Sequence, residues 1–310
     1  MRRSLLIPAL VAAAVFVTAC GDDGGDPVLD TSPDPTSAPT SPETSPATDA
    51  PDDGDDVSAA AACAAEAGTF TDGVLTIATG EFAFPPYVLD DAPESKQGFE
   101  AAVAYAVAGQ LGFADDQVTW VRTGFDEVIA PGEKEFDFNL QQYTITPERA
   151  NVVDFSEGYY SAAQAVLGYT DSPAAGATSV ADLKGLKIGV QASTTSLNYI
   201  EDVIQPDDDP LVYNDNAAAK AALDAGQIDA IVADLPTALY ITAVEIENTT
   251  VFGQIEGSGT DEFGLLLAKD NPLTECLDLA LQALKADGTL DAITEEWMAE
   301  YAEAPLISAS

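Results

Sequence analysis

Runs of hydrophobic residues and their spacing divide residues 74–149 into alternating strands and helices. Short apolar runs bounded by polar residues predict strands, and apolar residues at every third or fourth position predict helices. The predicted strands are 74–79, 118–122 and 136–140, and the predicted helices are 98–111, 125–130 and one that begins at Pro147. Strands that alternate with helices in this way favour a largely parallel sheet with helices on its faces.

The same alternation repeats after residue 183. The second set of predicted elements comprises strands 187–191, 212–213 and 228–233, a helix opened by residues 193–196, and helices 216–225 and 234–245. A strand at 263–268 and helices at 272–286 and 290–301 are expected to complete the first unit. The sequence therefore predicts an α/β fold with two lobes, lobe 1 from residues 63–166 and 264–310 and lobe 2 from residues 167–263.

The connection from the third predicted strand to its helix has the features of an anion site. Thr146 stands at a helix N-cap position, Pro147 follows at the first helical position, and Arg149 lies in the first turn. The N–H groups of a first turn have no partner inside the helix, and a guanidinium beside them is well suited to a carboxylate. The alternative is a surface arginine on a well-capped helix. The connections at 80–87 and 124–125 are expected at the same sheet edge, where such folds bind ligands.

The composition excludes several classes of function. Among 310 residues there are 11 Lys and Arg against 53 Asp and Glu, a formal net charge of −42. Phosphate backbones repel so acidic a chain, and no nucleic-acid partner is expected. The absence of histidine from the sequence excludes Ser-His-Asp, Cys-His and His-containing zinc sites, and three cysteines are too few for a tetrathiolate zinc site. We expect no metal and no cofactor, whereas carboxylate or lysine chemistry stays open.

The amino terminus has the features of an export signal followed by a tether. Two arginines precede a short apolar stretch that ends at Val17-Thr18-Ala19-Cys20, which resembles the lipobox of bacterial lipoproteins. The resemblance implies removal of residues 1–19, acylation of Cys20 and an extracytoplasmic protein that is lipid-anchored to the cell membrane. The alternative is an ordinary signal peptide with an incidental cysteine. Residues 20–62 are rich in Asp, Pro, Ser and Thr and are expected to form a disordered acidic linker.

Short motifs in a fixed order carry a second resemblance. They are Phe84-Pro85-Pro86-Tyr87, Gly98-Phe99-Glu100, Thr144-Ile145-Thr146-Pro147-Glu148-Arg149, Val153-Asp154-Phe155-Ser156, Asp182-Leu183-Lys184-Gly185, Gly189-Val190-Gln191, Gly226-Gln227-Ile228-Asp229-Ala230 and Leu284-Lys285-Ala286-Asp287-Gly288-Thr289. From about residue 75 to residue 301 the chain resembles the polar-amino-acid-binding family of extracellular solute-binding proteins of ABC importers. The resemblance implies a two-lobed periplasmic-binding-protein-like (type II) venus-flytrap that closes around one amino acid. Its partners would be an ABC permease and the ATPase of that permease, and we expect a monomer.

The resemblance also implies which residues contact the carboxylate end of an amino acid. Arg149 matches the arginine that pairs with the α-carboxylate, and Gln142 and Thr144 match positions that offer backbone and hydroxyl groups to the same ligand. Thr194 and Thr195 match the start of a helix on lobe 2 that also contacts the carboxylate. The alternative for these two threonines is helix capping alone.

Further matching residues concern the ammonium and the side chain of the ligand. Asp234 matches the carboxylate that receives the α-ammonium, with a helix N-cap as the alternative. Phe84 and Phe125 match the walls of the side-chain pocket, with plain core packing as the alternative. Glu81 matches an acid at the far end of that pocket, and Gln141 stands where many relatives have a small residue. Together these features favour a polar or cationic amino acid.

Cys63 and Cys276 are the two cysteines that remain after Cys20. Exported proteins fold in an oxidising environment, so we predict a disulfide between them.

Two other functions are compatible with the same fold. Cyclohexadienyl dehydratases resemble the same family, and an enzyme of that kind would use a carboxylate such as Glu81 or Asp234 as acid or base. The lack of histidine and the complete set of α-amino-acid contacts favour binding over catalysis, and no enzymatic activity is expected. An extracellular amino-acid sensor is the other alternative. Sensors usually add a transmembrane segment and a cytoplasmic output domain, and we expect neither here.

Overall fold

The computed structural model describes residues 58–259 and 261–309. The predicted signal peptide, Cys20 and most of the predicted linker lie outside the described residues. Among the described helices, none combines the length and the apolar character that a membrane span requires.

The described residues form strands β1 to β11 in chain order. Their bounds are β1 Leu75–Gly80, β2 Val118–Thr123, β3 Phe138–Asn139, β4 Val153–Ala162, β5 Gln164–Tyr169, β6 Ile188–Gln191, β7 Leu211–Tyr213, β8 Ala230–Asp234, β9 Thr249–Ile255, β10 Asp261–Ala268 and β11 Leu306–Ile307.

The α-helices in the same residues are α1 to α9. Their bounds are α1 Ala59–Ala67, α2 Phe99–Gln110, α3 Phe125–Ile129, α4 Pro147–Ala150, α5 Thr195–Tyr199, α6 Asn216–Asp224, α7 Leu235–Tyr240, α8 Leu273–Ala286 and α9 Thr289–Met298. Helices α5 and α7 each continue into one wider turn, Ile200–Ile204 and Ile241–Glu245. Short 3-10 turns occupy Leu89–Asp91, Pro93–Ser95, Asp115–Gln117, Val180–Leu183 and Ala299–Tyr301.

The strands make two sheets, one for each lobe. The first has the order β2-β1-β3-β10-β4 and the second the order β11-β9-β5-β8-β6-β7. In the first sheet β1 lies parallel to β2 and β3, and in the second β6 lies parallel to β7 and β8. Helices cover both faces of each sheet, so apolar clusters fill four separate layers. The predicted two-lobed α/β architecture is confirmed.

Both sheets are mixed, because the strands that lead between the lobes run against their neighbours. Strand β4 ends lobe 1 and pairs antiparallel with β10, which returns the chain to lobe 1. Strand β5 follows β4 after a single residue and pairs antiparallel with β8 and β9 of lobe 2. These strands place the two crossings side by side, as a hinge between lobes requires.

The boundaries of the lobes differ from the predicted ones. The chain already enters the second sheet at Gln164 and re-enters the first at Asp261, a few residues before the predicted positions 167 and 264. Strand β11 pairs with β9, so the tail that was assigned to lobe 1 joins lobe 2, where Ile307 is fully buried. Residues 59–62, predicted as linker, begin helix α1, because Ser58 caps a run of alanines with high helix propensity.

Gly98 shows why one of the family motifs contains glycine. It precedes α2 with a φ of +102°, and a Cβ at this position would lie 2.6 Å from the carbonyl oxygen of Tyr87. No other residue fits both constraints. The motif therefore fixes how the 80–96 connection packs against α2.

The predicted disulfide is present. Cys63 on α1 is bonded to Cys276 on α8, and the two positions are 213 residues apart in the sequence. The bond attaches the first described helix to the core of lobe 1, in which Cys276 is fully buried.

Loss of this disulfide is expected to destabilise lobe 1. Closing so long a loop restricts the unfolded chain, and removal of such a bond typically costs about 2 to 5 kcal/mol. The free energy of unfolding of Cys63→Ser, measured with guanidinium chloride, should fall by this amount, and Cys276→Ser should match it. Equal stability of wild type before and after reduction would contradict the expectation.

Candidate functional site

A cavity of about 570 Å³, counted to its open mouth, lies between the two lobes. A cleft between two lobes is a common place for a small-molecule site. The residues around it are Phe84, Phe125, Gln141, Gln142, Thr144, Arg149, Gln191, Thr194, Thr195, Ser196, Asn216, Val232, Ala233, Asp234 and Thr237. All of the predicted ligand-contact residues except Glu81 are in this set. The structure thus brings together residues that lie as much as 150 positions apart in the sequence.

Arg149 is a buried cation without an acidic partner. Its side chain is 8% exposed, and it donates to the carbonyl oxygens of Thr144 at 2.7 Å and Ser193 at 2.8 Å. No carboxylate oxygen of the described residues lies within 4.0 Å of it. A guanidinium has five N–H donors, so three remain for a ligand. Burial lowers the pKa of Arg149, although nearby Asp234 acts in the opposite direction.

Local sequence explains where Arg149 is placed. Thr146 caps α4 as predicted, and its hydroxyl accepts from the backbone N–H of Arg149 at 3.2 Å. Pro147 stands at the first helical position, where a missing N–H has no cost. The guanidinium also lies over the ring of Phe125, 5.7 Å from its centre, a distance typical of a cation–π contact.

Glu100 fixes the backbone next to the arginine. Gln142 has a φ of +53°, a conformation that is unfavourable for a side chain of this type. The Glu100 carboxylate accepts from both the backbone N–H and the side-chain amide of Gln142, and from the hydroxyl of Tyr159. The side-chain nitrogen of Gln142 is therefore used by Glu100, whose role is to hold this backbone segment. Burial raises the pKa of Glu100 to about 7 despite these hydrogen bonds.

The start of α5 contributes the lobe 2 side of the carboxylate end. Thr194 caps the helix, with its hydroxyl accepting from Leu197 N at 3.2 Å and donating to Gln191 O at 2.8 Å. The hydroxyl of Thr195 lies 3.4 Å from that of Thr144 on lobe 1. The hydroxyl of Thr194 is thus used for helix capping, whereas the hydroxyl of Thr195 contacts lobe 1.

Asp234 lies at the end of β8 and is the negative counterpart of Arg149. It precedes α7 without making a side-chain capping bond, so capping does not explain it. Instead one of its oxygens accepts from the amide of Gln164 at 2.8 Å. Burial, followed by the charge of Asp261, raises the pKa of Asp234 to about 7, while the Gln164 hydrogen bond and Arg149 oppose this rise.

The two phenylalanines form walls of the cavity and also pack against neighbouring rings. Phe125 stacks on Tyr143 with ring centres 4.6 Å apart. Phe84 on lobe 1 lies nearly parallel to Tyr240 on lobe 2, with ring centres 6.3 Å apart. Both phenylalanines are partly buried, so they serve the cavity and the core at once.

Glu81 lies outside the inner cavity. Its side chain is exposed and lines a second, outer chamber that opens to solvent. The outer chamber adjoins the inner cavity, and Phe84, Phe125 and Gln141 line both. From lobe 2 it receives Asp215, Glu245 and Lys220, and the last two form an ion pair at 2.6 Å.

Several residues of the site were not predicted. Asn216 and Thr237 lie in the first turns of α6 and α7, directly after strands, and the rule that led to Arg149 applies to them as well. Gln164 was missed because it lies at the crossing, where no sequence pattern separates β4 from β5. Among the described residues, no group of three or more Cys, Asp and Glu residues is arranged to hold a metal ion.

The arrangement is suited to a small molecule that carries both charges. A cation from lobe 1 and a carboxylate from lobe 2 line the same cavity, and each affects the pKa of the other. The lobes also contact each other directly, through Arg149 with Ser193 and through the Tyr87 and Thr237 hydroxyls at 3.4 Å. A ligand with an anion and a cation close together would add to these contacts.

Glu100 is expected to make stability depend on pH. Its pKa is raised by folding from the ordinary 4.5 to about 7, so the folded state binds this proton more tightly than the unfolded state. The contribution of Glu100 to stability, on the order of 3 kcal/mol, is therefore full below about pH 4.5 and is lost as pH rises to about 7.

In urea unfolding, the decrease in stability from about pH 5 to 7 should be smaller for Glu100→Gln than for wild type. Asp234 adds a decrease of the same sign in both proteins. The exposed Glu295→Gln should keep the wild-type slope, and an equal slope in Glu100→Gln would refute this role.

Comparison with known proteins identifies the family of this chain. Residues 75–300 match the family model described as bacterial extracellular solute-binding proteins, family 3. The chain is 31% identical over 227 residues to the L-cystine-binding protein TcyJ of Escherichia coli (strain K12), covering 70% of this chain and 80% of that protein. It is 28% identical over 225 residues to the ABC transporter arginine-binding protein 1 of the same organism, covering 69% and 86%.

A solved structure gives the same result for the fold. An ancestral arginine-binding protein bound to glutamine shares 31% sequence identity and a TM-score of 0.62, over 73% of this chain and 98% of that one. The fold is that of the two-lobed type II periplasmic binding proteins. On these matches, which span most of the described residues, the chain belongs to the bacterial extracellular solute-binding proteins of family 3.

Proposed function

We propose that this protein captures one free amino acid between its lobes and delivers it to the permease of an ABC importer. The observation that carries the proposal is Arg149, a buried guanidinium held by carbonyl oxygens alone among the described residues. A buried charge is stable only when it is paired or hydrogen-bonded, and an α-carboxylate would complete its set of partners. Asp234 on the other lobe provides the acceptor for the α-ammonium.

Binding from both lobes also explains how a ligand would drive closure. Arg149 belongs to lobe 1 and Asp234 to lobe 2, so a zwitterion contacts both charges only when the lobes are together. Such a ligand has a higher affinity for the closed arrangement and shifts the equilibrium towards it. Exclusion of water from the closed cleft strengthens both interactions.

The proposed ligand is an amino acid with a polar or cationic side chain. The outer chamber carries Glu81, Asp215 and Glu245 against Lys220, an excess of negative charge that favours a cationic group. Gln141 and Gln191 add amide groups at the junction between the two cavities. Relatives named for arginine and cystine, and the ancestral protein bound to glutamine, fit this class.

The proposed location is the outer side of the cell membrane. Acylation of Cys20 would anchor the chain, and the acidic segment that follows would keep the binding lobes away from the lipid surface. A monomer with a free cleft could then present both lobes to the permease. Labelling with a radioactive fatty acid, lost in Cys20→Ser, tests the anchor.

Replacement of Arg149 is expected to abolish binding. Arg149→Ala leaves a desolvated carboxylate without its partner, so affinity for the amino acid found by thermal-shift screening should fall at least about a thousandfold in isothermal titration calorimetry. Lys285→Ala removes the same charge from an exposed ion pair with Glu157 and should bind as wild type does. Retention of affinity within tenfold by Arg149→Ala would refute the proposal.

Asp234→Asn tests the ammonium end separately. Loss of this carboxylate should weaken binding of the amino acid by about a hundredfold or more, because the ammonium loses its charged acceptor. The deamino analogue of the same amino acid has no ammonium and leaves Asp234 unpaired in wild type, so Asp234→Asn should bind the analogue at least as tightly as wild type does. Calorimetry with both compounds on both proteins gives the comparison, and an equal loss for both compounds would assign Asp234 a structural role only.

An enzyme on this scaffold would consume its ligand. Incubation of the protein with the bound amino acid, followed by denaturation and quantification, should return the compound unchanged. Formation of phenylpyruvate from prephenate would instead support the dehydratase alternative.

A further inference from the structure

Gln164 occupies a central position behind the ammonium end of the cavity. It is fully buried at the start of β5, and its amide nitrogen donates to Asp234 at 2.8 Å and to Asp261 at 2.9 Å. Its amide oxygen accepts from the hydroxyl of Ser196 on α5 at 2.6 Å. A primary amide has two N–H donors, and both are used by carboxylates here.

Asp261 connects this network to the hinge. It begins β10, the strand that returns the chain to lobe 1, and it pairs with Ala162 at the end of β4. Gln164 is in lobe 2, so its hydrogen bond to Asp261 links a lobe 2 strand to a lobe 1 strand where the chain crosses. The same amide therefore contacts the proposed ammonium acceptor and the second crossing.

The two carboxylates lie close together without a cation between them. No Lys or Arg nitrogen of the described residues is within 4.0 Å of Asp234 or Asp261. Asp261 acts on Asp234 strongly enough to raise its pKa, second only to burial. Two like charges at this separation are unfavourable, and a cation next to Asp234 would stabilise both.

We propose that Asp261, acting through Gln164, is a positioning residue for the ligand's α-ammonium. Gln164 holds the Asp234 carboxylate in place, and Asp261 adds a second negative charge behind it. The inference rests on the proposed function, since it concerns the ammonium of the captured amino acid. It adds that the ammonium end is built from two carboxylates, and that one of these belongs to a strand that connects the lobes.

The charges around the pair define how binding should depend on pH. Asp234 interacts with Asp261 on β10, Arg149 on α4, and Tyr87 and Tyr160 of lobe 1. Tyr199, the last residue of α5, interacts electrostatically with Asp261. The arginine and tyrosines keep their charge states between about pH 5 and 8, so the change in that range comes from Asp234.

In wild type, affinity for a zwitterion should decline below about pH 7. The ammonium requires an ionised Asp234, whose pKa is raised to about 7 by burial and by the charge of Asp261 when the lobes are together, so affinity should fall by up to tenfold per pH unit below that value. Asp261→Asn removes the neighbouring charge that disfavours ionisation, and the onset of the decline should move to lower pH. Gln164→Met removes the hydrogen bond that favours ionisation, and the onset should move to higher pH.

The experiment uses full-length protein and four probes. These are L-arginine and L-glutamine with their deamino analogues δ-guanidinovalerate and glutaramate, titrated calorimetrically between about pH 5 and 8. At about pH 8, Asp261→Asn should bind the amino acid about tenfold more weakly than wild type and the analogue within about twofold of wild type. Glu262→Gln, which removes the adjacent charge on the same strand, should keep the wild-type affinity and pH profile. Glu100 titrates in the same range but is unchanged in every variant, so differences between profiles report on Asp234.

The outcomes distinguish a failure of the proposed function from a failure of the role assigned to Asp261. Failure of wild type to bind any free amino acid overturns the proposed function, and this inference with it. Binding by wild type together with an unchanged profile in Asp261→Asn, or equal losses for amino acid and analogue, overturns this inference alone. If Gln164→Met does not fold by circular dichroism, the Asp261→Asn profile decides by itself.

Discussion

The site depends on one interaction, the fixation of a buried guanidinium by neutral oxygens. Arg149 donates to two backbone carbonyls, one from each lobe, and Thr146 caps the short helix that carries it. A carboxylate at the same place would neutralise the charge and compete with a ligand. Carbonyl oxygens orient the guanidinium and satisfy two donors while they leave its positive charge available. The surrounding structure then serves to hold those oxygens in position.

The backbone around the arginine is held by groups that never reach the cavity. Glu100 accepts three hydrogen bonds beneath the segment that contains Gln142, and that segment provides the Thr144 carbonyl for Arg149. An unfavourable φ at Gln142 is thus maintained by a buried carboxylate. The cost of burying Glu100 appears as its raised pKa, so the precise position of Arg149 is obtained at the expense of stability above about pH 5.

Local patterns predicted the parts of this molecule that are determined locally. Thr146-Pro147 and the strand before it identified the helix start at Arg149, whereas the roles of Thr194 and Asp234 were predicted from the resemblance to the family. Gln164, Asp261 and the tail strand β11 were not predicted, because their roles come from contacts between residues far apart in the sequence. The hydrogen bond of Gln164 to Asp261 spans 97 positions, and neither residue differs locally from any polar residue at a strand end.

Neutral groups also hold the buried charge at the negative end of the cavity, Asp234. This feature distinguishes the charges of the cavity from those at the surface. The five ion pairs in the described residues, such as Arg122 with Asp91 and Lys285 with Glu157, lie at or near the surface, where pairing costs little. In the cleft, Arg149 is held by carbonyls and Asp234 by the Gln164 amide. A buried charge that is held by neutral dipoles is not neutralised. A ligand group of opposite charge is therefore attracted by the whole charge when it displaces water. Selectivity for a zwitterion then follows from the geometry, because a molecule with a single charge would leave either the arginine or the aspartate desolvated and unpaired.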